Sequence, residues 1–178
     1  MSAEAAPPVY RAPMRSRHDG LPPGVDRALA EGLCGIGGIV EPAPDDLDDA
    51  VARLAALYGD RLAARLRRFA GVPDGAFVWT RDDEGRFRLG RLTGAWRYDD
   101  SAAARAVDLV HVRDCTWLAG PVSDTEVPAG TLRTFGRGGR NFQRTHDAGV
   151  SEQTRAVWEA RAQGSVATRS PACTRGPV

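Results

Sequence analysis

The chain has 178 residues, a hydrophobic fraction of 42% and a net charge of +1, which predict one folded domain and exclude disorder of the whole chain. All 24 basic residues are arginine, so the positions of the arginines matter more than the total charge. The three cysteines lie far apart without CxxC or histidine spacing, which argues against zinc and disulfides. We expect a cytoplasmic protein, because no segment resembles a signal peptide or a membrane span.

The N-terminal region predicts a strand followed by a basic loop. Residues 1–8 are small and proline-rich and are predicted to be flexible. Val9–Met14 is predicted as an edge-like strand. The loop after it holds a small basic cluster, which we interpret as solvated: Arg15, Arg17 and His18.

A glycine-rich strand comes next. Asp26–Gly32 predicts a short helix or turn, and Leu33–Val40 predicts a buried strand that includes Gly37 and Gly38. Glycines weaken a strand, so their presence predicts that another group approaches this backbone closely. That group is either a neighbouring helix or a flat ligand such as a base. The segment lacks the GxGxxG pattern of a dinucleotide site.

Two helices are predicted between residues 47 and 70. Apolar residues recur at helical spacing from Leu47 to Tyr58 and again from Leu62 to Phe69, with Asp45 and Asp46 at the first N-terminus. The second helix carries a basic face, which we interpret as solvated, with phosphate contact as the alternative: Arg61, Arg65, Arg67 and Arg68.

Residues 75–98 predict a β-hairpin. Phe77 and Trp79 share one face of the first strand, because strand side chains alternate, and residues 82–85 have the composition of a four-residue turn. After the bend expected at residue 94, Trp96 and Tyr98 lie on a common side if the segment stays extended. This pair predicts half of an aromatic clamp.

The C-terminal half predicts a strand, a helix, a basic segment and a last helix. Val107–Arg113 reads as a strand, and Pro128 opens a short helix. Residues 131–146 contain no acidic residue and predict phosphate contacts from five side chains: Arg133, Arg137, Arg140, Asn141 and Arg144. The last helix is expected to run from Ser151 to about Ala162.

This order of elements predicts an α+β fold, a small curled antiparallel β-barrel with short helices outside it. We expect one domain over residues 9–162 and a disordered tail over residues 163–178. The segments ALAEGLCGIGG, GAFVWTR…FRLGRLTGAWRY, VDLVHVRDCTWL and VPAGTLRTF resemble the PUA-like superfamily of EVE, YTH and SRA-type domains. The closest resemblance is to the EVE-like modules of modification-dependent restriction systems, and it covers roughly Val9 to Phe142.

The resemblance implies a pocket that receives one modified nucleobase between aromatic side chains. It implies a DNA partner that carries modified cytosine, 5-methylcytosine above all, recognised by base flipping. In the segment usually written GIGW, Gly38 stands where the family has tryptophan, so another aromatic residue has to replace that wall, with Trp79, Tyr10 and Trp117 as the candidates. The base-pocket residues expected on this basis are Trp79, Trp96, Tyr98, Asp99, Gly37 and Gly38.

Catalytic patterns are weak, so we expect a protein that is not an enzyme and needs no cofactor or metal. His111 makes a nucleophilic pair with Cys34 or Cys115 only if folding brings them together. A separate nuclease or effector is a further expected partner. Two alternatives remain open, an RNA-binding PUA-like module and a barrel that binds a small ligand or another protein.

Overall fold

The structure is a computed structural model that describes residues 6–167, with side chains described to Gly164. Within that range the chain forms an α+β fold of one six-stranded sheet and six helices. The strands are β1 (Val9–Arg11), β2 (Leu33–Ile36), β3 (Phe77–Arg81), β4 (Phe87–Tyr98), β5 (His111–Trp117) and β6 (Gln143–Arg144). The helices are α1 (Val25–Glu31), α2 (Leu47–Tyr58), α3 (Asp60–Ala70), α4 (Ala102–Ala106), α5 (Ala129–Gly136) and α6 (Val150–Ala167).

The sheet is mixed, with the strand order β2-β5-β4-β3-β1-β6. Neighbouring strands are antiparallel except β1 and β3, which are parallel. β1 lies inside the sheet, where Tyr10 is opposite Val78 on one side and Arg144 on the other, so the predicted edge position is wrong. Over residues 6–167 β2 and β6 stay at opposite ends of an open sheet. The α+β class is therefore confirmed, whereas closure into a barrel is not.

The β3–β4 hairpin forms as predicted. Its turn is closed by Asp82, whose backbone N–H donates to the Arg86 carbonyl at 3.0 Å and whose carboxylate accepts from the Arg86 N–H at 2.9 Å. Gly85 takes a φ of +79°, which glycine adopts without strain. The pairing register of β4 with β5 shifts between Thr93 and Arg97. An irregularity of this kind bends a strand and changes the direction of the residues that follow it.

Side-chain alternation divides the interior into two clusters on opposite faces of the sheet. Phe77 and Trp79 belong to the cluster that α5 and α6 cover, whereas Val78 belongs to the cluster with α2 and α3. Each fully buried large side chain contributes roughly 1.5–3 kcal/mol through removal from water. Trp96 packs against the Val78 cluster, so Trp79 and Trp96 belong to different clusters.

The helix ends follow local sequence cues. Asp46 caps α2 by accepting from the Asp49 N–H at 2.9 Å, an interaction worth about 1 kcal/mol. Ser101 caps the short helix α4, because its side chain accepts from the Ala104 N–H. α6 continues to Ala167, so residues 163–167 of the predicted tail are helical, and residues 168–178 lie outside the described range.

Candidate nucleic-acid interface

The predicted aromatic clamp is in contact with a histidine. The Trp96 ring lies nearly parallel to the His111 imidazole at 6.0 Å and 21°, and Tyr98 meets the same imidazole edge-on at 5.2 Å. His111 is fully buried, with Nε2 2.9 Å from the Gly38 carbonyl oxygen. The Tyr98 hydroxyl donates to the Val40 carbonyl at 3.0 Å and lies 3.1 Å from the Val40 N–H. The structure thus brings Trp96 and Tyr98 together around the protein's own imidazole, in the position expected for a base.

Asp99 is already engaged. Its carboxylate forms an ion pair with Arg27 and accepts from the Ser101 N–H at 3.0 Å. Burial opposes ionisation of this carboxyl, but the hydrogen bonds from Ser101 and the contact with Arg27 outweigh it, and the pKa of Asp99 is lowered. A cytosine amine would have to displace Arg27 or share the carboxylate with it.

The groups close to Gly37 and Gly38 are side chains of the protein. A Cβ on Gly37 would lie 2.4 Å from Oδ2 of Asp108, and one on Gly38 would lie 2.8 Å from a methyl carbon of Leu54 in α2. Gly38 also has a φ of +129°, which other residues rarely adopt. The neighbouring helix explains Gly38 and the Asp108 carboxylate explains Gly37, so neither glycine is left facing a flat ligand.

Asp108 connects the basic loop after β1 to the glycine-rich segment. Its buried carboxylate accepts from the backbone N–H of Arg17 at 2.8 Å, from the hydroxyl of Ser16 at 3.2 Å and from the N–H of Gly38 at 2.8 Å. Hydrogen bonds to a charged acceptor are stronger than neutral ones, about 1.5–3 kcal/mol each. Asp108 therefore holds the backbone at Arg17 in one position relative to β2.

Trp79 is a core residue and does not line a pocket with Trp96. It is fully buried, its Nε1 donates to Thr154 of α6 at 3.3 Å, and its ring meets Phe87 edge-on at 6.2 Å. The predicted base-pocket role of Trp79 is wrong because the strand alternation that buries Phe77 buries Trp79 on the same face.

The glycine-rich loop, residues 137–142 between α5 and β6, wraps around a buried arginine. The Arg11 guanidinium donates to the carbonyls of Thr134 at 2.7 Å, of Asn141 at 3.5 Å and of Gly138. Gly138 and Gly139 have φ values of +69° and +103°, which allow the loop to turn its carbonyls inward. This role of Arg11 was not predicted from the sequence, although an arginine inside an otherwise apolar strand was a cue.

The five predicted phosphate contacts are divided by the fold. Arg140 and Asn141 lie near the basic loop after β1, where Asn141 Oδ1 accepts from Arg17 at 3.2 Å. Arg144 lies on β6 beside Tyr10. Arg133 instead pairs with Asp147, and Arg137 is exposed at the end of α5 and lines neither of the clefts described next.

We define the arginine cleft by the four arginines around residues 35–37: Arg15, Arg17, Arg65 and Arg140. They come from three separate segments, the loop after β1, helix α3 and the glycine-rich loop. The enclosed space is about 10 Å³, enough for one water-sized group such as a single phosphate oxygen. A nucleobase does not fit there.

The arginine cleft carries an excess of positive charge. Among residues 6–167, Arg15, Arg17 and Arg65 form no ion pair with a carboxylate, and the 3.3 Å pair of Arg140 with Asp19 is exposed. Burial, with repulsion from Arg17 and Arg68, lowers the pKa of Arg65 to about 10. Burial and Arg140 likewise lower the pKa of Arg17, although Asp108 opposes them. A bound anion would relieve this repulsion.

A second, larger space adjoins it, which we call the aromatic cleft. Its lining residues are Tyr10, Arg68, Gly71, Val72, Phe142, Gln143, Arg144 and His146, and Phe142 lines the arginine cleft as well. The Tyr10 and Phe142 rings stack at 4.8 Å and 12°, and Phe69 meets Phe142 edge-on at 5.0 Å. The volume is about 530 Å³, within the roughly 300–1,000 Å³ of small-molecule sites.

The buried thiols are poor nucleophiles. Burial raises the pKa of Cys34 to about 12 and, with the nearby Cys34, raises the pKa of Cys115 further. Burial lowers the pKa of His111 to about 4, so the imidazole is neutral near pH 7. In the part of the chain that the structure describes, no three His, Cys, Asp or Glu side chains gather as a metal site.

Comparison with known proteins leaves the family open. No family model matches the sequence, and no curated protein matches it significantly. Among the helices of residues 6–167, none combines the length and apolar character that crossing a membrane requires.

Proposed function

We propose that the protein binds DNA through the arginine cleft and selects DNA that carries a modified cytosine, 5-methylcytosine in the first instance. The observation that carries this proposal is the convergence of arginines from three segments on one cleft, where among the described residues only Arg140 has a carboxylate partner, the exposed Asp19. Guanidinium groups bind phosphate oxygens in a bidentate manner and release condensed counterions, which supplies most of the affinity of DNA-binding proteins.

The preference for a modified base rests on the resemblance to PUA-like domains. That the open sheet corresponds to the curled sheet of those domains is part of the same proposal. A base inside a duplex does not present its whole edge, so a reader of its modification has to flip it out at a cost of a few kcal/mol. Phosphate contacts in the arginine cleft would fix the position of the backbone, and base recognition would take place next to it.

A competition experiment at fixed moderate salt tests the proposal. The competitors are one duplex in unmodified, hemimethylated and fully methylated form, and an RNA of matching sequence. Preferential binding of methylated duplex supports the full proposal. Equal binding of all duplexes removes the modified-base part, and preference for RNA moves the function to an RNA-binding module, since the 2′-OH distinguishes the polymers. Absence of nucleic-acid binding at low salt contradicts the proposal.

A further inference from the structure

The aromatic cleft offers a preorganised stacking surface. One face of the half-buried Tyr10 ring lies against Phe142, and Phe69 of α3 braces Phe142 in turn. The Tyr10 backbone is paired on both sides, with Val78 and with Arg144, so the ring is held before any ligand arrives. A planar group that enters the cleft therefore extends an existing stack at little cost in ordering.

The rim of the cleft matches the remaining parts of a nucleotide. Arg68, Arg144 and His146 are exposed, and neither arginine forms an ion pair with a carboxylate within residues 6–167. The exposed Gln143 carries both a donor and an acceptor for the edge of a base. The cleft thus combines an aromatic wall, an amide and cationic groups.

Size, charge and position distinguish this cleft from three other spaces. A space of about 400 Å³ beside Trp158 has Arg91 and Arg155 at its border, but it lies on the opposite face of the sheet from the arginine cleft. The arginine cleft, at about 10 Å³, is too small for a base. A third space of about 440 Å³ near Phe135 is bordered by as many aspartates as arginines, so its lining carries no net positive charge: Asp26, Asp82, Asp83, Arg11, Arg15 and Arg81. The aromatic cleft is large enough and basic, and it shares the lining residue Phe142 with the arginine cleft.

From these observations we infer that the aromatic cleft binds one unpaired nucleobase, stacked on Tyr10, of a strand whose phosphate lies in the arginine cleft. This inference rests on the proposed function and deepens it, because it assigns the flipped base to the Tyr10 and Phe142 rings instead of Trp96 and Tyr98.

The first test compares a methylated duplex with the same duplex lacking only the target base at an abasic site. Removing the base removes both its stacking in the cleft and the cost of flipping it, so the wild-type affinity for each duplex serves as the reference for the variants. Tyr10→Leu should bind the base-containing duplex about tenfold more weakly with an unchanged salt slope, and abasic duplex as the wild type does. Trp158→Leu, a half-buried aromatic of the other cluster, is the matched control and should behave as the wild type.

A second test uses unmodified wild-type protein and so does not depend on the folding of a variant. A duplex with 5-iododeoxycytidine at the target position is irradiated in the complex, and the cross-linked peptide is identified by mass spectrometry. A cross-link to Tyr10, Phe142 or His146 supports the inference. A cross-link to Trp96 or Tyr98, or an equal effect of Tyr10→Leu in folded protein on the base-containing and abasic duplexes, overturns it while the proposed function stands. Failure to bind either duplex at low salt overturns both.

Discussion

Two pairs of aromatic rings on the same side of the sheet, Trp96 with Tyr98 and Tyr10 with Phe142, differ in what lies beside the rings. Trp96 and Tyr98 contact the buried imidazole of His111, and the Tyr98 hydroxyl is bonded to backbone. Tyr10 and Phe142 stack directly on one another and border an open cleft of about 530 Å³. Two rings at a suitable spacing therefore do not define a base pocket. The side chain between or beside them decides whether a ligand has room.

Charge separates the two clusters as clearly as shape does. Around the Trp96 cluster arginines pair with carboxylates: Arg27 with Asp99, Arg97 with Asp114, and Arg105 with Asp100. In the arginine cleft and on the rim of the aromatic cleft, five of the six arginines have no such partner among residues 6–167. A polyanion is therefore attracted to the second region, where the exposed pair of Arg140 with Asp19 is the one arginine–carboxylate pair among residues 6–167 that it would have to replace.

The largest effect should follow from removing two cleft arginines. Arg65→Ala combined with Arg140→Ala should lower DNA affinity about fiftyfold at about 0.1 M salt and reduce the salt slope by roughly 2, if each arginine neutralises one phosphate. Fluorescence anisotropy over a salt series measures both quantities. Arg97→Ala with Arg155→Ala is the charge-matched control, because it also removes two arginines and both side chains, 48% and 47% exposed, lie outside the cleft. An unchanged slope in the cleft variant would exclude this cleft as the phosphate site.

Replacing Asp108 should destabilise the basic loop after β1, because its carboxylate accepts hydrogen bonds from Ser16 and Arg17. Asp108→Asn places an amide against three hydrogen-bond donors, from Ser16, Arg17 and Gly38, so we expect a loss of about 2 kcal/mol in unfolding free energy. DNA affinity should fall as well, because the backbone at Arg17 loses its anchor. Denaturant unfolding and anisotropy measure the two effects. The exposed Asp114→Asn is the control, and equal stability of both variants would contradict the role of Asp108.

Acid should lower the stability of the folded protein through His111, the residue that Trp96 and Tyr98 contact. Its pKa is lowered to about 4 by burial, whereas the unfolded chain protonates it near pH 6.5, so the unfolded state binds more protons between these values. Stability should therefore fall by about 2 kcal/mol from pH 7 to pH 5. His111→Gln should remove most of this dependence, while the exposed His146→Gln should retain it. Parallel pH curves for all three proteins would refute the assignment.

Trp96→Leu should have the smallest effect on stability and on DNA binding. It tests most directly which pair of aromatic rings holds the base. We expect a loss of about 1 kcal/mol in stability, since a half-buried ring leaves the His111 contact, with no change in the preference between methylated and unmodified duplex. Thermal unfolding and duplex competition provide the two measurements. Loss of the methyl preference in a folded Trp96→Leu protein would return the base pocket to Trp96 and Tyr98.

Local features of the fold were predictable from the sequence by itself. The β3–β4 hairpin with its turn at residues 82–85, the helices α2 and α3, and the Asp46 cap depend on contacts between residues close in the chain. Alternation along β3 also correctly placed Phe77 and Trp79 on one face, because the period of a strand is set by its backbone. The α+β class followed from the number and order of these elements.

The candidate site was decided by tertiary structure. The basic loop after β1 and the arginine face of α3 each read as solvated, and folding brings Arg15, Arg17, Arg65 and Arg140 to one cleft. The pairing of Tyr10 with Arg144 and the contact of Arg11 with the glycine-rich loop join residues more than a hundred positions apart. Patterns of period 2 or 3.6 carry no information about such pairs, because distant segments meet only when the whole core is packed.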